Sequence, residues 1–569
     1  MAFLRELLVF ICAATATVLA APAIPATCPI VTLDRGMFIG TTTDGVNRFL
    51  GIPFAQPPVG DLRFRLPQAP GPYSGTHNTT AFGLSCTQQA TTLAIPNGLP
   101  QETVDLLTSG SGATIIDGED CLVLNVVAPS QAGRGSRLPV VVWIYGGSFE
   151  FGSSTLYGFF IFRFLGKYKE MHSYDGGVIV RRSIALEEPV IYVSMNYRLS
   201  AFGFLASQEV KDAKVGNLGL WDQRLALRWV QKYIHAFGGD PSKVTIWGES
   251  AGAVSVSLQM LASGGNTEGL FRAAFMQSGS PTPIGDITHG QKYYDDLVER
   301  TGCSGSSGTL ACLRAAPYEK LKATIDSSKF RSGQLTNPES LTIAWQPRAD
   351  GVFLADNPQK LIQRGKVARI PFVTGVCDDE GTIFALSASN LTIEADLRNY
   401  LTEFFLPNAT DAELDELLTL YPQDVTQGSP YDTGIQNAFT PQFKRLASIL
   451  GDFGFQVPRR FFLNNLSKKQ NTWSFLSKRL KSLPVLGSFH GSDNLNIYGG
   501  GDLTDYLIHF ATNLDPNGGL SLQWPQYTAW SRQLMTLVDG QVTNRTITLD
   551  RYRIEGMDLL TNLSLAYPL

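Results

Sequence analysis

Histidine is scarce: six occur in 569 residues, so the search for a catalytic base is short. Charged residues are also few, 17% against 44% hydrophobic, which excludes bulk disorder and allows a large buried core. Lys plus Arg total 46 and Asp plus Glu 50, and the missing basic excess argues against a nucleic-acid binder. Gly at 55 and Pro at 31 fit a loop-rich globular protein and fall short of collagen-like or low-complexity composition. No internal repeat recurs at a period of about 20–50 residues, and no Ser/Pro-rich linker divides the chain. Past the N-terminus no uninterrupted run of about 18 apolar residues occurs, so the mature protein is expected to be soluble, without a transmembrane segment. No metal or other cofactor is expected.

The N-terminus itself reads as a secretory leader spanning residues 1–20. Arg5 precedes an apolar stretch from Leu7 to Leu19, and Val18-Leu19-Ala20 supplies compact residues ahead of a cut near Ala20. Export favours disulfides. Cys303 and Cys312, flanked by Gly and Ser, suit a small closed surface loop, and Cys86 with Cys121 would close a larger one. Cys28 and Cys377 are left over, either paired or free. Six Asn-x-Ser/Thr sequons, at Asn78, Asn390, Asn408, Asn465, Asn544 and Asn562, fit a glycosylated secreted protein.

Length alone allows three or four domains at about 150 residues each, but the pattern favours one. Four apolar, β-branched runs recur: Leu138 to Tyr145, Pro189 to Tyr197, Val244 to Trp247 and Ile370 to Gly375. A helix from Leu220 to Phe237 precedes the third, with Leu225, Leu227, Trp229, Val230 and Ile234 at helical spacing. Such runs alternating with helices imply a mostly parallel sheet covered on both faces, within residues 21–569 as a single domain.

Gly248-Glu249-Ser250-Ala251-Gly252 is the only Gly-x-Ser-x-Gly in the chain. The strand Val244 to Trp247 runs into it and a helix-compatible segment, Ala253 to Leu261, runs out, which is the strand–elbow–helix that exposes a nucleophilic serine. The helix N-terminus then points free N–H groups at developing negative charge. Phe237-Gly238-Gly239-Asp240-Pro241 leading into this elbow resembles the nucleophile signature of the type-B carboxylesterase/lipase family. Glu119-Asp120-Cys121-Leu122, Gly51-Ile52-Pro53-Phe54 through Arg63-Phe64, and Asn196-Tyr197-Arg198 resemble its other blocks. The resemblance runs from about residue 30 to the C-terminus, in particular to secreted fungal lipases and sterol esterases. It implies an α/β-hydrolase fold and a serine hydrolase that acts on carboxylic esters.

A hydroxyl nucleophile needs a base, and the base an orienting acid, in the chain order Ser, acid, His. Past Ser250 the histidines are His289, His490 and His509. His289 sits in a polar stretch with no strand before it, and His509 on an apolar helical face. His490 follows the apolar run Pro484 to Phe489 and reads as a strand-end loop residue, and the family's Gly-x-x-His pattern agrees. For the acid, the residues alone leave Asp378, Asp379 and Glu380 open. Resemblance to the Glu-Gly-Thr pattern implies Glu380, with Asp378 and Asp379 as surface turn residues. Oxyanion donors are expected at Ala251 and at the turn Gly146-Gly147-Ser148, from Gly147 and Ser148. Relatives often carry a third glycine where Ser148 stands, and its β-carbon narrows that turn.

The loop from Cys86 to Cys121 resembles the lid of fungal lipases, with Leu93, Ile95, Leu99, Val104, Leu106 and Leu107 to cover an apolar cleft. Residues 87–120 hold no Trp, Tyr or Phe, so the ring that binds quaternary ammonium in cholinesterases is missing and choline esters are poor candidates. Ile383 and Phe384 are candidate acyl-pocket walls. The expected substrate is a lipid ester, an acylglycerol or steryl ester at a lipid–water interface. Alternatives are a general short-chain carboxylesterase and a non-catalytic binding or adhesion relative, though the latter would have lost part of the Ser, acid, His set. One segment does not fit the family pattern. Gly158 to Ser173, with Phe159, Phe160, Phe162, Phe164 and Tyr168, reads as an insertion, and joining Tyr157 to Tyr174 restores an ordinary family loop. A short intron left in the coding sequence is the preferred reading, ahead of a genuine insertion buried under the lid and of a lipid-contacting patch. Peptide mapping of the secreted protein is then expected to yield Tyr157 joined to Tyr174, and peptides containing Phe159 to Tyr168 would exclude the intron.

Overall fold

A strand that is apolar at every position has no face to offer water and must be covered on both sides. The computed structural model, which describes residues 28–90, 95–108, 115–155, 174–327, 341–519, 522–540 and 544–569, builds one large sheet with fully buried strands at its centre and more polar, partly exposed ones at its edges. In chain order these are β1 (Thr41–Thr43), β2 (Val46–Pro53), β3 (Val123–Pro129), β4 (Leu138–Ile144), β5 (Ile191–Met195), β6 (Gly239–Glu249), β7 (Ala273–Gln277), β8 (Phe372–Cys377), β9 (Thr472–Lys478), β10 (Gln533–Val538) and β11 (Arg545–Leu549). They lie side by side as β11-β10-β9-β8-β7-β6-β4-β5-β3-β2-β1. Pairing is parallel from β5 through β10 and antiparallel at both flanks. The four runs read from the sequence are β4, β5, β6 and β8. At the centre Trp143 and Trp247 stand in register with ring centroids 4.3 Å apart, both fully buried.

The helix before β6 spans Leu218–Tyr233 and buries Leu220, Leu227, Trp229 and Val230. It tightens into a 3-10 turn, Ile234–Phe237, and ends where Gly238 turns left-handed at φ 94°. Helix Ala251–Gly265, kinked at 262–264, leaves β6 through Ser250.

Cys86–Cys121 and Cys303–Cys312 are disulfides, and Cys377 is a buried thiol. Inside the first loop the helix Gln101–Thr108 buries Thr103, Leu106 and Leu107. The expected leader 1–20, the expected insertion 158–173, and residues 91–94 (with Leu93) and 109–114 of the expected lid lie outside the described residues. Among the described residues no helix is long and apolar enough to cross a membrane.

Two expectations are corrected. Asp378 and Asp379 are not surface turn residues: they are 5% and 0% exposed, held by Lys481, with Lys478 also near Asp378. Burial of an acid is tolerated where cations and N–H donors replace water, and both are present there. The run Pro484 to Phe489 is not a strand either. Pro484 lacks an N–H, while Val485 and Gly487 take left-handed φ of 66° and 56°, so only Phe489 makes a bridge, to Asp379.

Five sequon asparagines, Asn78, Asn390, Asn408, Asn544 and Asn562, are exposed. Asn465 is half-buried within helix Val457–Leu466, its Nδ2 donating to the Phe461 carbonyl at 2.9 Å. Glycopeptide mapping is expected to find glycan at exposed sites and none at Asn465. Full occupancy at Asn465 would contradict this reading of the helix.

Candidate active site

The elbow is a problem of close approach. For Ser250 to stand proud at the end of β6, the chain reverses at φ 54°, ψ −128°, a conformation that costs a non-glycine residue about 1–3 kcal/mol. The reversal presses the helix start against β4: a β-carbon on Gly252 would collide with the Ile144 carbonyl, and one on Gly248 would lie 2.5 Å from Gly252. Glycine at both positions is therefore steric necessity.

His490 Nε2 lies 2.8 Å from Ser250 Oγ, and its Nδ1 lies 2.5 Å from Glu380 Oε2. The second oxygen of Glu380 accepts the Cys377 N–H at 2.7 Å, which fixes the carboxylate plane from the end of β8. Residues far apart in the chain thus meet in the order expected. His509 is elsewhere, paired with Glu188 at 2.8 Å, and His289 is exposed on the turn Ile287–Gly290.

Electrostatics favour a strong base. Burial works against an imidazolium at His490, but Glu380 foremost, with Glu249 and Asp493 adding to it, holds the ring above the ordinary histidine value. Two more acids crowd the site. Burial pushes Glu249, whose Oε1 is 3.5 Å from His490 Nε2, up to about 8, and Asp493 up to about 6.

Gly147 turns left-handed at φ 104°, and a β-carbon there would collide with the Phe151 carbonyl. Ser148 follows at φ 54°, so the turn keeps its shape despite the β-carbon. Among the described residues nothing accepts the N–H groups of Gly147, Ser148 or Ala251. Of the three, Ser148 and Ala251 line the cavity beside Ser250.

A cavity of about 80 Å³ adjoins Ser250, lined by Ser148, Phe149, Val254, Phe384 and Phe455 among others. Phe384 lines it and Ile383 does not. The two are neighbours on the short helix Thr382–Ala385, about 100° apart around its axis, so one meets the cleft while Ile383 is buried in the core. Sequence reasoning missed Phe455, whose ring centroid is 4.5 Å from that of His490. It projects from a π-helical turn, Asp452–Gln456, that no periodicity announces. Glu249 was visible, as the x of Gly-x-Ser.

A family model, the carboxylesterase family, matches residues 27–554. The chain belongs to that family. Lipase 4 of Diutina rugosa is 43% identical over 559 residues, covering 95% of this chain and 97% of that protein. A secreted triacylglycerol lipase of Gibberella zeae is 37% identical over 544 residues, covering 92% and 89%. The crystal structure of Aspergillus niger EstA superposes with a TM-score of 0.76 at 26% identity, covering 95% of this chain and 99% of that one. This carboxylesterase is accordingly a carboxylic ester hydrolase on an α/β-hydrolase fold.

A histidine that takes a proton from Ser250 must be neutral, so activity is expected to fall as pH drops through the raised pKa of His490. Glu380→Gln removes the charge that raises it. The acidic limb of kcat/KM is expected to move to lower pH while the plateau falls, by about 10⁴-fold if the wrong tautomer dominates. A pH–rate profile of both proteins checks this, and an unmoved limb would remove Glu380 from the site.

Proposed function

We propose that this carboxylesterase is exported and hydrolyses lipid esters, acylglycerols or steryl esters, through an acyl-enzyme on Ser250. The observation that carries the chemistry is the relay Ser250–His490–Glu380, at 2.8 and 2.5 Å, on a strained elbow beside three N–H donors. Ser250 Oγ attacks the ester carbonyl carbon as its proton passes to His490 Nε2. The carbonyl oxygen gains the negative charge and is held by the N–H groups of Gly147, Ser148 and Ala251. Collapse expels the alcohol, which leaves with the proton from Nε2. Water then repeats the sequence, deprotonated by His490, and the carboxylic acid departs. Glu380 orients the imidazole and stabilises its charged form.

Lipid is favoured as the substrate by the apolar lining of the cleft and by the relatives. The cavity beside Ser250 is walled by Phe149, Val254, Leu341, Ile343, Phe384 and Phe455, and the helix Gln101–Thr108, read as the cover, buries Leu106 and Leu107. Two relatives are named a lipase and a secreted triacylglycerol lipase. Exposing buried leucine to water costs about 1.5–3 kcal/mol per side chain, and a lipid surface removes that cost, shifting the cover toward open.

Ser250→Ala and His490→Ala are each expected to lower kcat by about 10⁶-fold, with the double variant little worse, because the pair acts as a unit. Retained turnover in His490→Ala would overturn the assignment. On a chain-length series of esters, the rate per enzyme is expected to jump where the substrate passes its solubility limit. Equal activity on dissolved and emulsified ester would indicate a plain short-chain esterase.

A further inference from the structure

The reaction above uses neither of the two acids buried just before Glu380. A buried carboxylate is costly unless donors and cations surround it, and Asp379 is surrounded. Its Oδ1 accepts the backbone N–H of Tyr431 at 2.8 Å and the Ser429 hydroxyl at 3.1 Å. Its Oδ2 accepts the backbone N–H of Ser488 at 2.8 Å and the Lys481 ammonium at 2.6 Å. The Asp379 N–H in turn donates to the Ser488 carbonyl at 3.0 Å. Asp379 and Ser488 are thus tied twice, one residue before Glu380 and two before His490. Thr382 Oγ1 adds a further tie, donating to the carbonyls of Asp379 and Leu486. Gly487 makes room: at φ 56°, a β-carbon there would stand 2.5 Å from Asp379 Oδ2.

The location matters because regular structure has stopped. Pairing of β8 with β9 ends at Cys377 and Ser477, while Glu380 and His490 both lie beyond it on irregular chain. Asp378 offers an internal contrast. It is also buried and shares Lys481, with Lys478 3.5 Å away. Among the described residues its carboxylate takes no hydrogen bond from 484–490.

We propose that Asp379 is a positioning residue for the His490–Glu380 pair: its carboxylate, shared between the N–H groups of Ser488 and Tyr431, fixes the loop that presents the imidazole to Glu380. The proposal rests on the reading of Ser250, His490 and Glu380 given above. Asp379 does not line the cleft, so it acts through geometry alone.

Asp379→Ala and Asp378→Ala are compared on a soluble ester, with folding followed by circular dichroism. Displacing a catalytic group by about 1 Å can cost about a hundredfold, so Asp379→Ala is expected to lose about ten- to hundredfold in kcat with KM changed less than about twofold. Its acidic limb is expected to move to lower pH, because a loosened Glu380 raises His490 less. Asp378→Ala is expected to lose melting temperature while keeping kcat and the limb. Wild-type kcat in folded Asp379→Ala, or parallel losses in both variants with unmoved limbs, overturns the proposal. Should Asp379→Ala not accumulate as folded protein, Gly487→Ala crowds the carboxylate without removing it. The same kcat loss and limb shift are expected there, and wild-type values overturn the proposal. Activity surviving in His490→Ala would instead strike the underlying assignment, whereas a dead His490→Ala beside a wild-type Asp379→Ala strikes only this one.

Discussion

Everything around the nucleophile depends on how closely the start of helix Ala251–Gly265 packs against the end of β4. Without β-carbons at Gly248 and Gly252, backbone meets backbone, and Ser250 is forced outward at φ 54°. The same contact sets the oxyanion turn. Gly146 lies where a β-carbon would be 2.7 Å from the Glu249 carbonyl, so the turn after β4 and the elbow after β6 are packed as one unit. The turn and the elbow are brought together because β4 and β6 are sheet neighbours in register. The parallel sheet is the ruler, and the strained elbow is what it holds in place.

Charge is the second constraint. Glu249, Glu380 and Asp493 crowd one imidazole, and like charges so close cannot all ionise in a buried site. The environments separate them. Glu249 is pushed up to about 8 and Asp493 to about 6, chiefly by burial. Glu380 accepts the Cys377 N–H and faces His490 Nδ1 directly. His490 therefore faces one strong partner on the Nδ1 side and the Ser250 hydroxyl on the other, which suits a proton shuttle better than a ring of equal carboxylates would.

Much of this was legible in the sequence where chemistry or sterics leaves few choices. A glycine-flanked serine between a strand and a helix has one geometry, and three downstream histidines reduce to His490 by their surroundings. The four apolar runs became β4, β5, β6 and β8 with ends shifted by a few residues, because burial on both faces marks a strand's middle and not its limits. What was not legible depends on tertiary cover. Asp378 and Asp379 look like turn acids until Lys481 and the residues 429–431 and 484–488 close over them. Ile383 and Phe384 look equivalent until the short helix turns one inward. Phe455 reaches His490 from a π-helical turn, where the 3.6-residue period that would have placed it is interrupted.

The loop before His490 is also tied to the disulfide-closed loop. Thr103 Oγ1, on the helix Gln101–Thr108, donates to the Pro484 carbonyl at 2.8 Å. That bond is worth about 1 kcal/mol. Ser488, held by Asp379, lies between Pro484 and the histidine. Val485 and Gly487 take left-handed φ between the two ties. The segment before His490 is therefore anchored at both ends, by Thr103 at Pro484 and by Asp379 at Ser488, although among the described residues it pairs with no strand along its length, and side-chain hydrogen bonds do there what the sheet does for Ser250.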